Sequence, residues 1–207
     1  VTAELALVNE DGEQVAETAV PIGSAGAKEV IRNKVQWRLP PELETGTYTI
    51  WLSLGEQRIE LGDWQIDAPQ RIFAQPEVDI TSDFAVDFGR LVGYSTDLPA
   101  TSTGSVTGKS VEVELVWQAV AETAVNYRVF VHLLDENGNL VTQSDAVPDH
   151  WTRPTTGWVP GEYITDRHTL TLPADAIPGQ YTLLVGFYDT ATQIRAGETR
   201  LPPITIK

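Results

Sequence analysis

The chemically richest stretch of the chain lies between Pro148 and Glu162, where Asp149, His150, Trp151, Arg153 and Trp158 fall within thirteen residues. Flat aromatic faces beside hydrogen-bonding heads are the mix that sugar and peptide sites use. An indole can stack on the apolar side of a pyranose while Asp and Arg address its hydroxyls. These five residues are therefore the candidate ligand-binding set. The structural alternative, which carries more weight on sequence alone, folds Trp151 and Trp158 inward to close the end of a domain. Arg153 then satisfies loop carbonyls.

Carboxylates at Asp145, Asp149, Glu162 and Asp166 raise the question of glycoside hydrolysis, which needs two of them at a set separation with one pKa raised. Among 29 acidic residues such clustering is expected for solubility alone. His168 shares a period-two face with Leu170 and Leu172, so a hydrogen-bonded, partly buried structural histidine is expected. His132 shares a face with Phe130 and Leu134, which reads as packing. No Ser-His-Asp arrangement is suggested, because the serines lack the flanking glycines of a nucleophile elbow. Asp135-Glu136-Asn137-Gly138-Asn139 offers oxygen ligands for calcium but has its glycine at the wrong position and no distal glutamate, so a hairpin turn is the better reading. The expectation is no catalytic residue, no metal site and no cofactor.

Composition sets the frame for these residues. Lys and Arg number 14 against 29 Asp and Glu, a net charge of -15, which repels nucleic acid and anionic lipid. No stretch approaches the roughly 20 apolar residues that cross a bilayer, so direct membrane insertion by this segment is not expected. There is no Cys, which removes disulfides and thiolate chemistry together. Met is also absent, and a chain opening at Val1 reads as a piece of a longer polypeptide.

The elements that must carry the loop are legible from an internal repeat. Leu7 to Val15, LVNEDGEQV, matches Leu133 to Val141, LLDENGNLV, 126 residues later. Leu39-Pro40 followed by Gly46-Thr47-Tyr48 matches Leu172-Pro173 followed by Gly179-Gln180-Tyr181, 133 residues later. Two matched blocks in the same order argue for two copies of one plan. Alternation at Val111, Val113, Leu115 and Trp117, and again at Tyr181, Leu183, Val185 and Phe187, has the period of strands. The fold class is all-β: two tandem antiparallel immunoglobulin-like β-sandwich modules, with each Gly-x-Tyr similar to a tyrosine corner.

Module 1 spans 1–72, a linker carrying Pro76 spans 73–82, and module 2 spans 83–207. Aligning the copies sets Val1 opposite Tyr127, so the first module lacks the strands around Phe84–Tyr94 and Val111–Trp117 and is incomplete at its start. Such a module exposes an edge that is expected to pair with the linker, the second copy or another chain. Asp97 to Lys109, rich in Ser, Thr and Gly, reads as a mobile loop. Where the second copy has its thirteen-residue loop, the first has only Ile22 to Lys28.

Phe88-Gly89, Leu91 to Tyr94, Val113 to Trp117, Val129 to Asp135, Thr152-Arg153-Pro154, Trp158, Pro160-Gly161-Glu162, Asp166-Arg167-His168 and Gly179 to Tyr188 together carry a resemblance. They look like the β-sandwich appended to bacterial polytopic membrane proteins of the protein-mannosyltransferase-like glycosyltransferase kind. The resemblance covers nearly all of the second module and, more loosely, the first. It implies an extracytoplasmic, carboxy-terminal appendage of a membrane protein and carries over no catalytic residue. The expected function is a non-catalytic interaction or positioning module. Its expected partners are a cell-surface glycan or the rest of its own polypeptide, with no nucleic acid. A passive spacer and a glycoside hydrolase are the alternatives.

Overall fold

The computed structural model describes residues 2–22, 34–35, 37–97 and 110–206. The expected mobile loop and most of Ile22 to Lys28 lie outside the described residues. Two compact units divide between Gln70 and Arg71. Arg71 and Ile72, assigned from sequence to the first module, belong to the second unit because Arg71 pairs with Glu162 and Ile72 bridges Tyr163. No helix among the described residues is long and apolar enough to cross a membrane.

In the first unit, β1 (Thr2–Val8), β2 (Gln14–Pro21), β3 (Gly46–Leu54) and β4 (Gln57–Ile66) form one antiparallel sheet in the order β2-β1-β3-β4. Leu7, Tyr48 and Ile50 are buried on one face under Trp37, Leu39 and Leu43. Further along the same face Leu54, Ile59 and Trp64 stay exposed. On the other face Thr47 bonds Gln65 at 3.1 Å and Thr49 bonds Asp63 at 2.8 Å, beside Trp51 with the Arg58 guanidinium 4.5 Å from its ring centroid. Among the described residues β2 and β4 end the sheet, so neither edge has the partner strand expected for it.

The second unit is a sandwich. One sheet has the path β11-β8-β7-β5, built from β5 (Ile80–Thr81), β7 (Gly89–Thr96), β8 (Ser110–Ala119) and β11 (Tyr163–Thr171), with β6 (Ala85–Val86) also on β7. The other has the path β10-β9-β12-β13, built from β9 (Tyr127–Leu134), β10 (Leu140–Ala146), β12 (Gly179–Asp189) and β13 (Arg195–Arg200), with β14 (Ile204–Ile206) also on β12. Residues 73–82, expected to link the modules, thus supply β5. Alternate side chains from both sheets fill one core, among them Leu91, Tyr94, Trp117, Val131, Leu133, Leu170, Leu183 and Phe187.

The repeat holds atom by atom. In the first hairpin Glu13 N donates to Asn9 Oδ1 at 2.8 Å and Gly12 N to Asn9 O at 3.0 Å; in the second Asn139 N donates to Asp135 Oδ1 at 2.7 Å and Gly138 N to Asp135 O at 3.0 Å. Gly12 and Gly138 sit at φ 82° and 81°, a region where a side chain is strained. Asp135 spends its oxygens on Asn137 and Asn139, which is hairpin chemistry rather than cation ligation. Both tyrosine corners form: Tyr48 Oη donates to Glu44 O at 2.8 Å, and Tyr181 Oη to Ile177 O at 2.5 Å. The order β2-β1-β3-β4 repeats β10-β9-β12-β13 strand for strand. The four described strands of the first unit thus match one sheet of the second.

Candidate functional site

The candidate loop leaves β10, crosses the end of the sandwich and enters β11. Its first three residues, Asp149, His150 and Trp151, all have left-handed backbone, with φ of 51°, 52° and 74°. Each such residue costs on the order of 1–2 kcal/mol relative to the right-handed form. The turn persists because its backbone is held on both sides. Trp151 N donates to Val147 O at 3.0 Å, Arg153 N to Pro148 O at 3.0 Å, and Asp149 N to Asp166 Oδ1 at 2.9 Å.

The five candidate residues do not form one site. Trp158 is 1% exposed and closes the core beside Phe88 and Phe187, its Nε1 donating to Arg153 O at 3.0 Å. Arg153 is buried, and its Nη2 donates to Glu162 Oε1. Trp158 therefore follows the structural alternative, and Arg153 is buried as that alternative had it, but its bond goes to the Glu162 carboxylate rather than to a loop carbonyl. Trp151, in contrast, is 57% exposed, with the Arg128 guanidinium 4.7 Å from its ring centroid. His150 is exposed beside it, and Asp149 is half-buried with its carboxylate accepting from Thr152 Oγ1 at 2.9 Å. The outward set is Asp149, His150 and Trp151, joined by Arg128, which sequence reasoning missed.

Beneath the loop lies a buried charged frame. Glu162, with no exposed surface, accepts from Arg71 Nη1 at 2.6 Å, from Arg153 and from Val159 N at 3.0 Å. Burial and the like charge of Arg71 pull the Arg153 pKa down from its ordinary value. Thr155 is pinned in turn, donating to Val125 O at 2.8 Å and accepting from Tyr127 N at 2.9 Å. The frame fixes the loop's base, so strain at 149–151 is not relieved by the loop peeling away.

A second buried chain runs through the core face of β11. Asp166 Oδ2 accepts from Trp117 Nε1 at 3.3 Å and from His168 Nε2 at 3.1 Å, and His168 Nδ1 lies 3.0 Å from Ser144 Oγ. Because a carboxylate only accepts, His168 Nε2 carries a proton toward Asp166. Ser144, His168 and Asp166 are thus in line, an arrangement the sequence did not suggest. The order is that of a catalytic triad with the ring nitrogens exchanged, but the Asp166 and His168 side chains have no exposed surface for a substrate to reach. His168 is more deeply buried than expected, at 1% exposed. Glu162 and Asp166, two of the four carboxylates considered for hydrolysis, are both sealed inside.

His132 is not on the core face. Arg128, Phe130, His132 and Leu134 point away from the sandwich, and Phe130, Leu134, Leu184 and Tyr188 form a small apolar cluster on the outer face of β9 and β12. Arg128 and Tyr188 are cross-strand partners, which continues this surface to the Arg128–Trp151 contact.

No family model matches the chain, and no curated protein matches it. Among solved structures it is similar to the crystal structure of the C-terminal domain of wzt, with a TM-score of 0.38 and 11% identity over 57% of this chain and 70% of that one. It is also similar to a family 123 glycoside hydrolase from Clostridium perfringens described with glycolipid glycan hydrolysis, with a TM-score of 0.34 and 9% identity. That likeness covers 50% of this chain and 22% of the hydrolase chain. Both likenesses are too distant to transfer a site or an activity, and the assignment that stands is an all-β chain of antiparallel sheets.

Proposed function

We propose that the chain is a non-catalytic interaction module that binds a saccharide through the surface around Trp151. In this reading it is the extracytoplasmic appendage of a membrane protein of the mannosyltransferase-like kind, as the sequence resemblance implies. The observation that carries the binding role is the strained turn: three consecutive left-handed residues end on a tryptophan more than half exposed. Strain of this kind persists where the surrounding structure over-determines it, and it clusters at ligand sites. The Arg128 guanidinium lies over the ring while more than half of the residue stays in water, so core packing does not account for its placement. Asp149 and His150, its neighbours in the turn, and Arg128 supply acceptor and donor groups.

Two observations support the absence of catalysis. Glu162 is saturated by two guanidiniums and a backbone amide, and Asp166 by an indole, an imidazole and an amide. Neither is placed to give or take a substrate proton.

The experiment is a tryptophan-fluorescence titration of the full chain with a panel of bacterial and host oligosaccharides, run beside a chromogenic glycoside screen. A saturable change that disappears in Trp151→Ala, at unchanged thermal stability, is the expected result. Turnover of any glycoside would overturn the non-catalytic reading. Absence of binding across the panel would favour the passive spacer.

A further inference from the structure

The outer face of the second unit carries a cavity that neither the loop nor the core accounts for. It has a volume of about 290 Å³ and is lined by Phe130, His132, Gln143, Asp145, Tyr188, Gln193 and Arg195. That is the small end of the roughly 300–1,000 Å³ range of ligand pockets, the scale of one ring rather than a cofactor. We propose that this cavity is a pyranose subsite, in which a sugar ring lies against the half-buried ring of Tyr188 and its vicinal hydroxyls bridge Asp145 and Arg195. The proposal rests on the saccharide reading of the adjoining Trp151 surface and adds a second subsite with its own chemistry.

The floor is closed by Phe130, which is 1% exposed beneath the lining. Phe130 lies over Gly186, where a Cβ would stand 2.7 Å from the Phe130 ring and 2.2 Å from Gly197 O, so only glycine lets the ring settle on the sheet. The Phe130 and Tyr188 ring centroids are 6.3 Å apart. The Arg195 guanidinium sits 4.6 Å from the Phe130 centroid, and the same side chain pairs with Glu198. Gln193, at φ 60°, holds the turn between β12 and β13 in a left-handed conformation beside the cavity.

The carboxylate supplies the directional contact. Asp145 Oδ1 is buried with no hydrogen-bond partner, facing His132 Nε2 at 3.6 Å, beyond normal reach. The exposed remainder of the side chain presents Oδ2 to the cavity, held only by Gln143 Nε2 at 3.3 Å. Oδ1 has no surface for a ligand to reach, so Oδ2 is the oxygen of Asp145 that a ligand in the cavity would bond. Burial holds His132 below its ordinary pKa against the pull of Asp145, so the imidazole stays neutral near pH 7 and leaves the carboxylate's charge uncompensated. With Arg195 already paired to Glu198, Asp145 leaves the lining net negative, which disfavours an anionic ligand. A neutral diol, donating to Asp145 and accepting from Arg195, satisfies both.

Position joins the two subsites. Arg128 and Phe130 are two residues apart on one face of β9, about 7 Å at the rise of a strand, and Tyr188 pairs with Arg128 across to β12. An oligosaccharide running along β9 would meet Trp151 and the cavity in turn.

The test uses the full chain, the methyl pyranosides of glucose, galactose, mannose and their N-acetylamino forms, and oligosaccharides containing them. Binding is read by calorimetry and by the His132 ring signals in NMR. At least one methyl pyranoside is expected to shift the His132 signals. Asp145→Asn should weaken binding about tenfold or more with thermal stability retained, because the native Oδ1 makes no bond to lose; Tyr188→Ala should weaken binding likewise and also lower the Tm, because the ring packs on Phe130, Leu134 and Leu184. Loss of binding in Trp151→Ala but not in Asp145→Asn would overturn the subsite and leave the loop reading intact. Binding that depends on Asp145 and ignores Trp151 would keep the subsite and overturn the loop reading. No His132 shift with any methyl pyranoside would also overturn the subsite.

Discussion

Replacing Glu162 with glutamine removes one negative charge from between two guanidiniums that have little access to water. The native carboxylate has no exposed surface, and the Arg71 and Arg153 side chains are 15% and 10% exposed. Breaking a buried ion pair by deleting one partner costs about 3–5 kcal/mol, because the remaining charge keeps its desolvation penalty. Glutamine retains an acceptor oxygen for the Val159 amide, so the low end, about 3 kcal/mol, is expected for Glu162→Gln and the high end for Glu162→Ala. With an unfolding entropy of about 2.1 cal/mol/K per residue, the Arg71–Lys207 unit loses roughly 3.5 °C for each kcal/mol, so the Tm should fall by about 10 °C. Near-UV circular dichroism of the full chain follows the unit through buried Trp117 and Trp158. A shift of only 2–3 °C would refute the view that this frame holds the loop.

Three further outcomes follow from the same structure. Trp158→Ala should cost about 3–5 kcal/mol, whereas Trp151→Ala should change stability by no more than about 0.5 kcal/mol; urea denaturation of both variants checks the contrast, and similar losses would contradict the opposite placement of the two rings. Tyr94 is 1% exposed with no hydrogen-bond partner for its hydroxyl among the described residues, so Tyr94→Phe should raise stability, by about 1 kcal/mol; a lower urea midpoint would show a missing partner. Bonds from Asn139 and from the turn amides hold the Asp135 carboxyl below its ordinary pKa. Its contribution is therefore complete above the unfolded-state value and is lost as pH falls through the lower folded value. Asp135→Asn, which installs the residue the first copy has at Asn9, should reduce the loss of stability between pH 5 and pH 2; an unchanged acid profile would speak against it.

The parts of the fold that were readable from sequence are those dictated by local geometry. A glycine at positive φ and an acceptor side chain four residues before the hairpin's closing amide define both turns. A tyrosine two residues after glycine finds its carbonyl four positions back in both copies. The direction of the candidate tryptophans was not readable. Trp151 faces out because three consecutive residues take a backbone that side chains disfavour, and that choice is made by Asp166 and the carbonyls of β10's exit, not by the loop's own sequence. His132 packs against Phe130 on the face it was read to share, but which way that face points was not readable for a different reason: β9 is apolar on both faces, with Val129, Val131 and Leu133 on one and Phe130 and Leu134 on the other. Alternation alone then cannot say which face meets the second sheet. Arg71 was set in the wrong module because its partner Glu162 is 91 residues away.

The account stands or falls on whether the outer face of β9, β12 and β13, with the turn at 149–151, is where a saccharide docks. Mapping backbone amide shifts of the full chain while titrating a bound oligosaccharide tests this most directly. Perturbations should concentrate at residues 128–132, 143–145, 149–153 and 186–195, leaving the amides of Asp166 and His168 and the Thr47 and Thr49 face of β3 and β4 unmoved. Shifts centred on β3 and β4, or on the buried Ser144–His168–Asp166 line, would contradict it.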